Sequence, residues 1–377
     1  MTVTVPPSDL APRLKGLTLD QISIPNGREE EWRFTPLKRI AKLHELNGKV
    51  ASPVFSISSP TVVKISDSSI KDFSAADRIS AAAAILSTEG KSITIPKEIV
   101  LEDPVIIGTV SKSETSVGSL SLILEKYSKG TFIIDHTGSG AIALAVEIDV
   151  AEGADATVIS IHDGDRSSVF TGQQAIKLGR DAKVHHVAIT LGGDLVRLVT
   201  TVEYTAPGGD AVLSGAYFTD AGQHHEHRLF VDHSVNNCRS DVMYKGALQG
   251  KDAHSVWIGD VLIRGKATGT STYELNRNLI LTEGARADSV PNLEIETGEI
   301  EGAGHASATG RFDDEQIFYL MSRGVPEVQA KRLVVRGFLA DVIVRIPSPE
   351  LQHRLIKSVE NKLGQVDPMF ALVFDEQ

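Results

Sequence analysis

Ala143-Leu-Ala-Val-Glu-Ile-Asp-Val-Ala-Glu-Gly-Ala-Asp-Ala156 holds the pattern on which the fold turns. From Val146 to Val150 apolar and polar residues alternate with a period of two, as in a half-buried strand; Glu152-Gly-Ala-Asp-Ala then reads as a turn of small residues. Both halves recur. Ser119-Leu-Ser-Leu-Ile-Leu-Glu, Thr131-Phe-Ile-Ile-Asp and Val184-His-His-Val-Ala-Ile-Thr-Leu suit strands. Gly179-Arg-Asp-Ala, Gly208-Gly-Asp-Ala, Gly250-Lys-Asp-Ala and Glu283-Gly-Ala-Arg-Ala repeat the turn. Gly accepts the positive φ such turns need, and Ala lets neighbouring coils stack closely. Strand–turn units without intervening helices indicate a β-solenoid or a sandwich. The spacing is irregular, so both remain open from the pattern.

Outward from this stretch, three regions separate: a mixed, mainly helical region 1–95, a β core 96–310 and a helical region 311–377. Near the N-terminus a helix is predicted around Glu30 to His44, and the Ala-rich run Ser80 to Leu86 suits a second, short one. In the C-terminal region Asp313 can cap a helix with Asp314 and Glu315 in its first turn, ended by Gly324. Pro326 suits the first position of a second helix carrying Leu333, Val334, Leu339, Val342 and Ile346. Ser348-Pro-Glu opens a third, with Leu351, Leu355, Val359 and Leu363 near one stripe and Gly364 as its stop. Such a stripe covers either its own domain or a partner; self-packing is the plainer reading.

A net charge of −11 with scattered Lys and Arg argues against a nucleic-acid backbone as partner. Met1 to Leu10 has neither a basic nor an apolar segment of a secretory signal, and no run nears 18 apolar residues. The single cysteine, Cys238, excludes an intrachain disulfide and fits a reducing cytoplasm. One thiol cannot hold an iron–sulfur cluster, which takes several thiolates, so any cluster role has to be shared with another chain.

Most motif-like strings carry no chemistry. Gly138-Ser-Gly-Ala-Ile-Ala fits the dinucleotide fingerprint, but Leu144-Ala-Val-Glu-Ile-Asp-Val follows as a strand where a helix is required. Gly90-Lys-Ser ends like a phosphate loop, yet Ile85 stands where the first Gly belongs. No Gly-x-Ser-x-Gly elbow, His-Glu-x-x-His helix or obvious acid/base pair of carboxylates is present. The densest metal-like group is His224-His225-Glu226-His227, followed by Asp232-His233. On a strand, His225 and His227 share one face, His224 and Glu226 the other. Two imidazoles lack a third ligand, so an exposed polar strand end is the plainer reading. Cys238 reads as a small buried side chain. His305, among the small residues of Gly302-Ala-Gly-His-Ala-Ser-Ala-Thr-Gly, reads from composition as a surface histidine beside a domain junction.

Arg277-Asn-Leu-Ile-Leu-Thr-Glu-Gly-Ala-Arg-Ala-Asp-Ser-Val-Pro-Asn-Leu-Glu-Ile, Gly304-His-Ala-Ser-Ala-Thr-Gly and Asp314-Glu-Gln-Ile-Phe-Tyr-Leu-Met-Ser-Arg-Gly together resemble the SufB/SufD family of iron–sulfur cluster assembly scaffolds. Arg336-Gly-Phe-Leu-Ala-Asp-Val and Glu30-Glu-Trp-Arg-Phe-Thr-Pro-Leu extend the resemblance, from about Glu29 to Val344. It implies a mainly β chain: a right-handed parallel β-helix core flanked by N-terminal and C-terminal α-helical domains. It also implies a complex of one SufB, one SufD and two SufC ATPases, with hydrolysis in SufC and none here. The SufD branch fits better than SufB: the chain is short and poor in Cys, Ile295 stands where SufB typically has a cluster-linked Cys, and the Trp32 element is typical of SufD.

By the resemblance, the β-helix pairs with SufB, or with a second copy in isolation. The C-terminal helices dock SufC through Phe318, Tyr319, Arg323, Phe338, Leu339 and Ile343, and His305 meets transient iron or a nascent cluster at the SufB interface. Several relatives carry a Cys two residues before that histidine; Ala303 stands there in this chain. An imidazole is a borderline ligand suited to iron, and it holds a cluster more loosely than a thiolate. Competing readings are a SufB-like subunit, an independent metal-binding solenoid using His224, His225 and His227, and a polysaccharide-active solenoid, which usually carries the secretory signal missing here.

Overall fold

A computed structural model describes residues 14, 16, 18–70, 73–111 and 113–365; the Met1–Leu10 segment considered above lies outside them. The strands run, in chain order, β1 (Val54–Ser58), β2 (Lys64–Asp67), β3 (Lys91–Ile95), β4 (Val105–Val110), β5 (Thr115–Leu124) and β6 (Lys129–His136). Then follow β7 (Ala141–Val150), β8 (Asp155–His162), β9 (Val169–Leu178), β10 (Lys183–Thr190), β11 (Leu195–Tyr204) and β12 (Asp210–Thr219). The last are β13 (His224–His233), β14 (Arg239–Leu248), β15 (His254–Ile263), β16 (Ser271–Ile280), β17 (Arg286–Ile295) and β18 (Gly302–Gly310).

Among the described residues these strands form two nine-stranded sheets, ordered β1-β4-β6-β8-β10-β12-β14-β16-β18 and β17-β15-β13-β11-β9-β7-β5-β3-β2. From β3 onward each strand pairs in parallel with the strand two places away, and only the β1–β4 and β2–β3 pairs are antiparallel. Consecutive strands therefore lie in opposite sheets, and the chain winds as a β-solenoid, not a sandwich. Lys183 lies opposite Asp210, Asp210 opposite Arg239 and Arg239 opposite Ser271, giving coil intervals of 27, 29 and 32 residues. That drift explains the irregular spacing of the turns in sequence.

The small-residue turns stack on one another. The Gly153 amide donates to the Arg180 carbonyl at 2.9 Å, and the Asp181 amide to Pro207 at 3.1 Å. Gly153 and Asp181 take φ of 66° and 53°. Ala154, Ala182 and Ala253 are fully buried beneath these turns, where a larger side chain would hold the coils apart.

The N-terminal segment departs from expectation. Where the sequence predicts a helix over Glu30 to His44, the chain forms three short 3₁₀ turns, Glu30–Trp32, Leu37–Arg39 and Leu43–Glu45. Pro36 lacks an amide donor and disfavours the helical region at Thr35, and Ala41 and Lys42 adopt positive φ. Trp32, Ile40 and Leu43 are nevertheless buried, packed with the alanines of α1 (Arg78–Leu86) against Val117, Ala141 and Ala143 of the solenoid. The Asp77 carboxylate caps α1, accepting the Ser80 amide at 2.8 Å.

The C-terminal helices are α2 (Asp314–Ser322), α3 (Glu327–Ile343) and α4 (Pro349–Gln365). Asp313 caps α2 by accepting the Glu315 amide at 2.9 Å, Gly324 leaves it at φ 88°, and Pro326 is the cap residue of α3. Gly364 lies within α4 and does not end it. The apolar stripe covers this chain's own solenoid: Val335, Leu339, Val342, Ile343, Leu351, Leu355 and Val359 pack on Ile159, Ile161, Val187, Ile189 and Phe218. Leu339 and Ile343 are 1% and 2% exposed, so neither offers a surface to a partner.

Candidate functional site

The solenoid ends on an open coil. Among the described residues β17 pairs only with β15 and β18 only with β16, so both outer edges carry unpaired backbone groups. No helix or loop of the described chain continues either sheet past them. Long bare edges of this kind invite another strand. Gly302-Ala-Gly-His-Ala-Ser-Ala-Thr-Gly supplies β18 with only one large side chain, His305, and leaves its backbone accessible.

Register places His305 within the solenoid's architecture. Phe132, Val158, His186, Leu213, Val242, Glu274 and His305 lie opposite one another in successive strands and form one inward-facing column. Six of these are covered by the next coil, whereas His305 is exposed, with no described strand stacked beyond it. Ala303 stands two residues earlier on the same face, so no thiol accompanies the imidazole.

The neighbour in that column is unusual. Glu274 is 1% exposed, and neither of its carboxyl oxygens has a hydrogen-bond partner among the described residues. Burial, with a smaller push from Asp260, drives its pKa up to about 8. A Cβ on Gly259 would come within 2.4 Å of the Trp257 ring and 2.6 Å of Glu274 Oε1, so the bare glycine makes room for both. The Trp257 indole nitrogen and the Ser289 hydroxyl are likewise buried without partners, and these two residues lie opposite one another in β15 and β17. Sequence reasoning missed Glu274. Its only signal was a carboxylate at an inward strand position, which becomes meaningful once the register is known.

The histidine-rich strand is placed differently from expectation. His225 and His227 do share one face and His224 and Glu226 the other, but all four are at most 1% exposed, which corrects the reading as an exposed strand end. His225 and His227 point into the solenoid, where burial pushes His227 down to about 4 and His225 well below its ordinary value. Glu226 faces outward beneath the N-terminal segment. It accepts from the Thr35 hydroxyl at 2.8 Å and sits 3.3 Å from the Arg197 guanidinium, which is also paired with Asp77. Arg197 stacks on the Trp32 ring at 4.2 Å, and Arg228 donates to the Glu31 carbonyl at 2.8 Å. This charged brace fastens the N-terminal segment to the solenoid, and its groups are occupied by one another.

Cys238 is buried, and burial raises its pKa, which disfavours the reactive thiolate. Among the described residues no three His, Cys, Asp or Glu side chains converge in a metal-binding group. On the helices, Phe318 and Tyr319 are 72% and 57% exposed, with Arg323 stacked 5.2 Å from the Tyr319 ring. Phe338 is half-buried under the Lys245 ammonium. The structure thus splits the six helix residues: Phe318, Tyr319 and Arg323 face outward, Phe338 is half-buried, and Leu339 and Ile343 belong to the core.

Residues 106–338 match the family model "SUF system FeS cluster assembly, SufBD core domain". An iron–sulfur cluster assembly SufBD family protein of Mycobacterium tuberculosis is 46% identical over 360 residues, covering 92% of this chain and 91% of that protein. The iron–sulfur cluster assembly protein SufD of Bacillus subtilis is 25% identical over 297 residues, covering 76% and 67%. SufD of Escherichia coli is 24% identical over 249 residues, covering 57% and 58%. With the matched model spanning both sheets and reaching α3, the chain belongs to the SufBD family of iron–sulfur cluster assembly proteins.

Proposed function

We propose that this chain is the SufD-type scaffold subunit of a cytoplasmic SufBCD assembly complex. Its open coil, β17 and β18, pairs with the solenoid of SufB, and iron or a nascent cluster is held between them at His305. The observation that carries this reading is the bare edge of β18, which presents one exposed imidazole amid Gly, Ala, Ser and Thr. That edge satisfies its backbone by strand addition, and a second copy of the chain serves when SufB is absent. The lack of any three-ligand group among the described residues fits a cargo site completed by a partner.

ATP hydrolysis belongs to SufC, docked on the outward face of α2 at Phe318, Tyr319 and Arg323. The exposed Met321, one turn from Phe318 on the same helix, enlarges that patch. A lone buried thiol suits the reducing cytoplasm, and no helix among the described residues is long and apolar enough to cross a membrane.

His305→Ala tests the reading. The variant complex should assemble and hydrolyse ATP, because the imidazole contributes little packing. Cluster absorbance, normalised to assembled SufB and SufC, should fall at least tenfold, and His305→Cys should restore part of it. Normal cluster yield in the Ala variant would remove His305 from the chemistry.

A further inference from the structure

We propose that Glu274 and His305 together form a weak site for a divalent first-row metal ion, with iron(II) as its physiological occupant. The proposal rests on the scaffold reading for its purpose, but its geometry stands independently. Glu274 lies opposite His305 in adjacent parallel strands, whose axes are about 4.8 Å apart, and both residues project from the same inward face. Their side chains are therefore neighbours at the open end.

A carboxyl group buried with both oxygens unpartnered is costly, and the column positions before it are filled by Leu213 and Val242. An apolar residue would pack there without that cost. A cation at the open end satisfies the oxygens that the protein leaves bare. The buried Ser289 hydroxyl and Trp257 N–H, also without partners among the described residues, add polar groups to the same end of the interior.

The donor set selects the ion. One imidazole nitrogen and one carboxylate oxygen suit iron(II), cobalt(II) or zinc(II), whereas calcium and magnesium favour oxygen alone. Two protein donors hold an ion loosely, and the remaining positions fall to water or to the facing chain. A loosely held ion can be passed into a cluster.

Cobalt(II), whose visible absorption reports imidazole coordination, is titrated anaerobically into the isolated full-length chain, with iron(II) equilibrium dialysis alongside. The wild type should bind one ion. Glu274→Gln and His305→Ala should each weaken binding by at least tenfold, and the double variant little further, as for a shared site. Glu274→Asp, which keeps a carboxylate, should retain part of the affinity, and circular dichroism checks that each variant folds. Unchanged binding in folded Glu274→Gln overturns the proposal while leaving His305 in its role. Absence of any binding by the wild type also overturns it. Failure of the scaffold reading itself shows separately, as normal cluster yield in the His305→Ala complex.

Discussion

At the scale of single residues, the solenoid interior keeps polar groups where an all-apolar core would be cheaper, and pH should expose this. Burial pushes His136 and His186 down to about 3 and His227 and His233 to about 4. Their folded values lie below the ordinary imidazole value near 6.5, so the unfolded chain takes up these protons first as pH falls. The stability held by the neutral imidazoles is thus present above about pH 7 and is lost as pH drops from about 6.5 towards 4. At pH 5 each histidine removes about 2 kcal/mol relative to pH 7. Urea midpoints at pH 7.5 and pH 5 should differ strongly, and His136→Leu should narrow the gap; equal midpoints would show that the imidazoles are not dry. Glu274→Leu, which replaces an unpartnered carboxyl by an apolar side chain, should raise the metal-free urea midpoint, by about 1–3 kcal/mol of stability. A lower midpoint would mean that the carboxyl has partners after all.

At the scale of elements, α2 and α3 divide the work that their shared apolar character had blurred. Leu339 and Ile343 are packed on Val187, Ile189 and neighbouring solenoid residues, whereas Phe318 and Tyr319 reach solvent. Leu339→Asp should therefore cost about 3 kcal/mol or more in thermal unfolding, because it buries a charge without a partner. Phe318→Asp with Tyr319→Asp should leave unfolding nearly unchanged and weaken SufC binding, read by calorimetry, by tenfold or more. Undiminished SufC affinity in that double variant would place the docking surface elsewhere.

The same elements show what a reader of the sequence could and could not see. Asp313, Gly324 and Pro326 marked the helix ends because caps are local chemistry. The partner of the α3 stripe was invisible, since an apolar face looks alike whether it covers its own sheet or another protein. For His224-His225-Glu226-His227, strand geometry gave the right division between two faces, but the burial of both faces was not legible. The inward face, with His225 and His227, is buried by the solenoid itself, and the outward face by the N-terminal segment, where Thr35 donates to Glu226 from 191 residues earlier in the chain.

At the scale of the whole molecule, period-two strands and Gly-Ala turns made a strand-rich core plain, and the family resemblance, not the pattern, chose the solenoid. Coil intervals drifting from 27 to 32 residues hid the register, and with it the meeting of Glu274 and His305. The finished solenoid is closed along both sides by the N-terminal segment and the C-terminal helices, and open where β17 and β18 end it. That open coil is the centre of the account. Hydrogen–deuterium exchange of the isolated chain against its complex with SufB tests it most directly. Amides of residues 286–310 should exchange readily alone and gain strong protection with SufB bound, while β7 to β13 change little. Protection confined to other segments, with 286–310 exchanging as fast in the complex as in isolation, would contradict it.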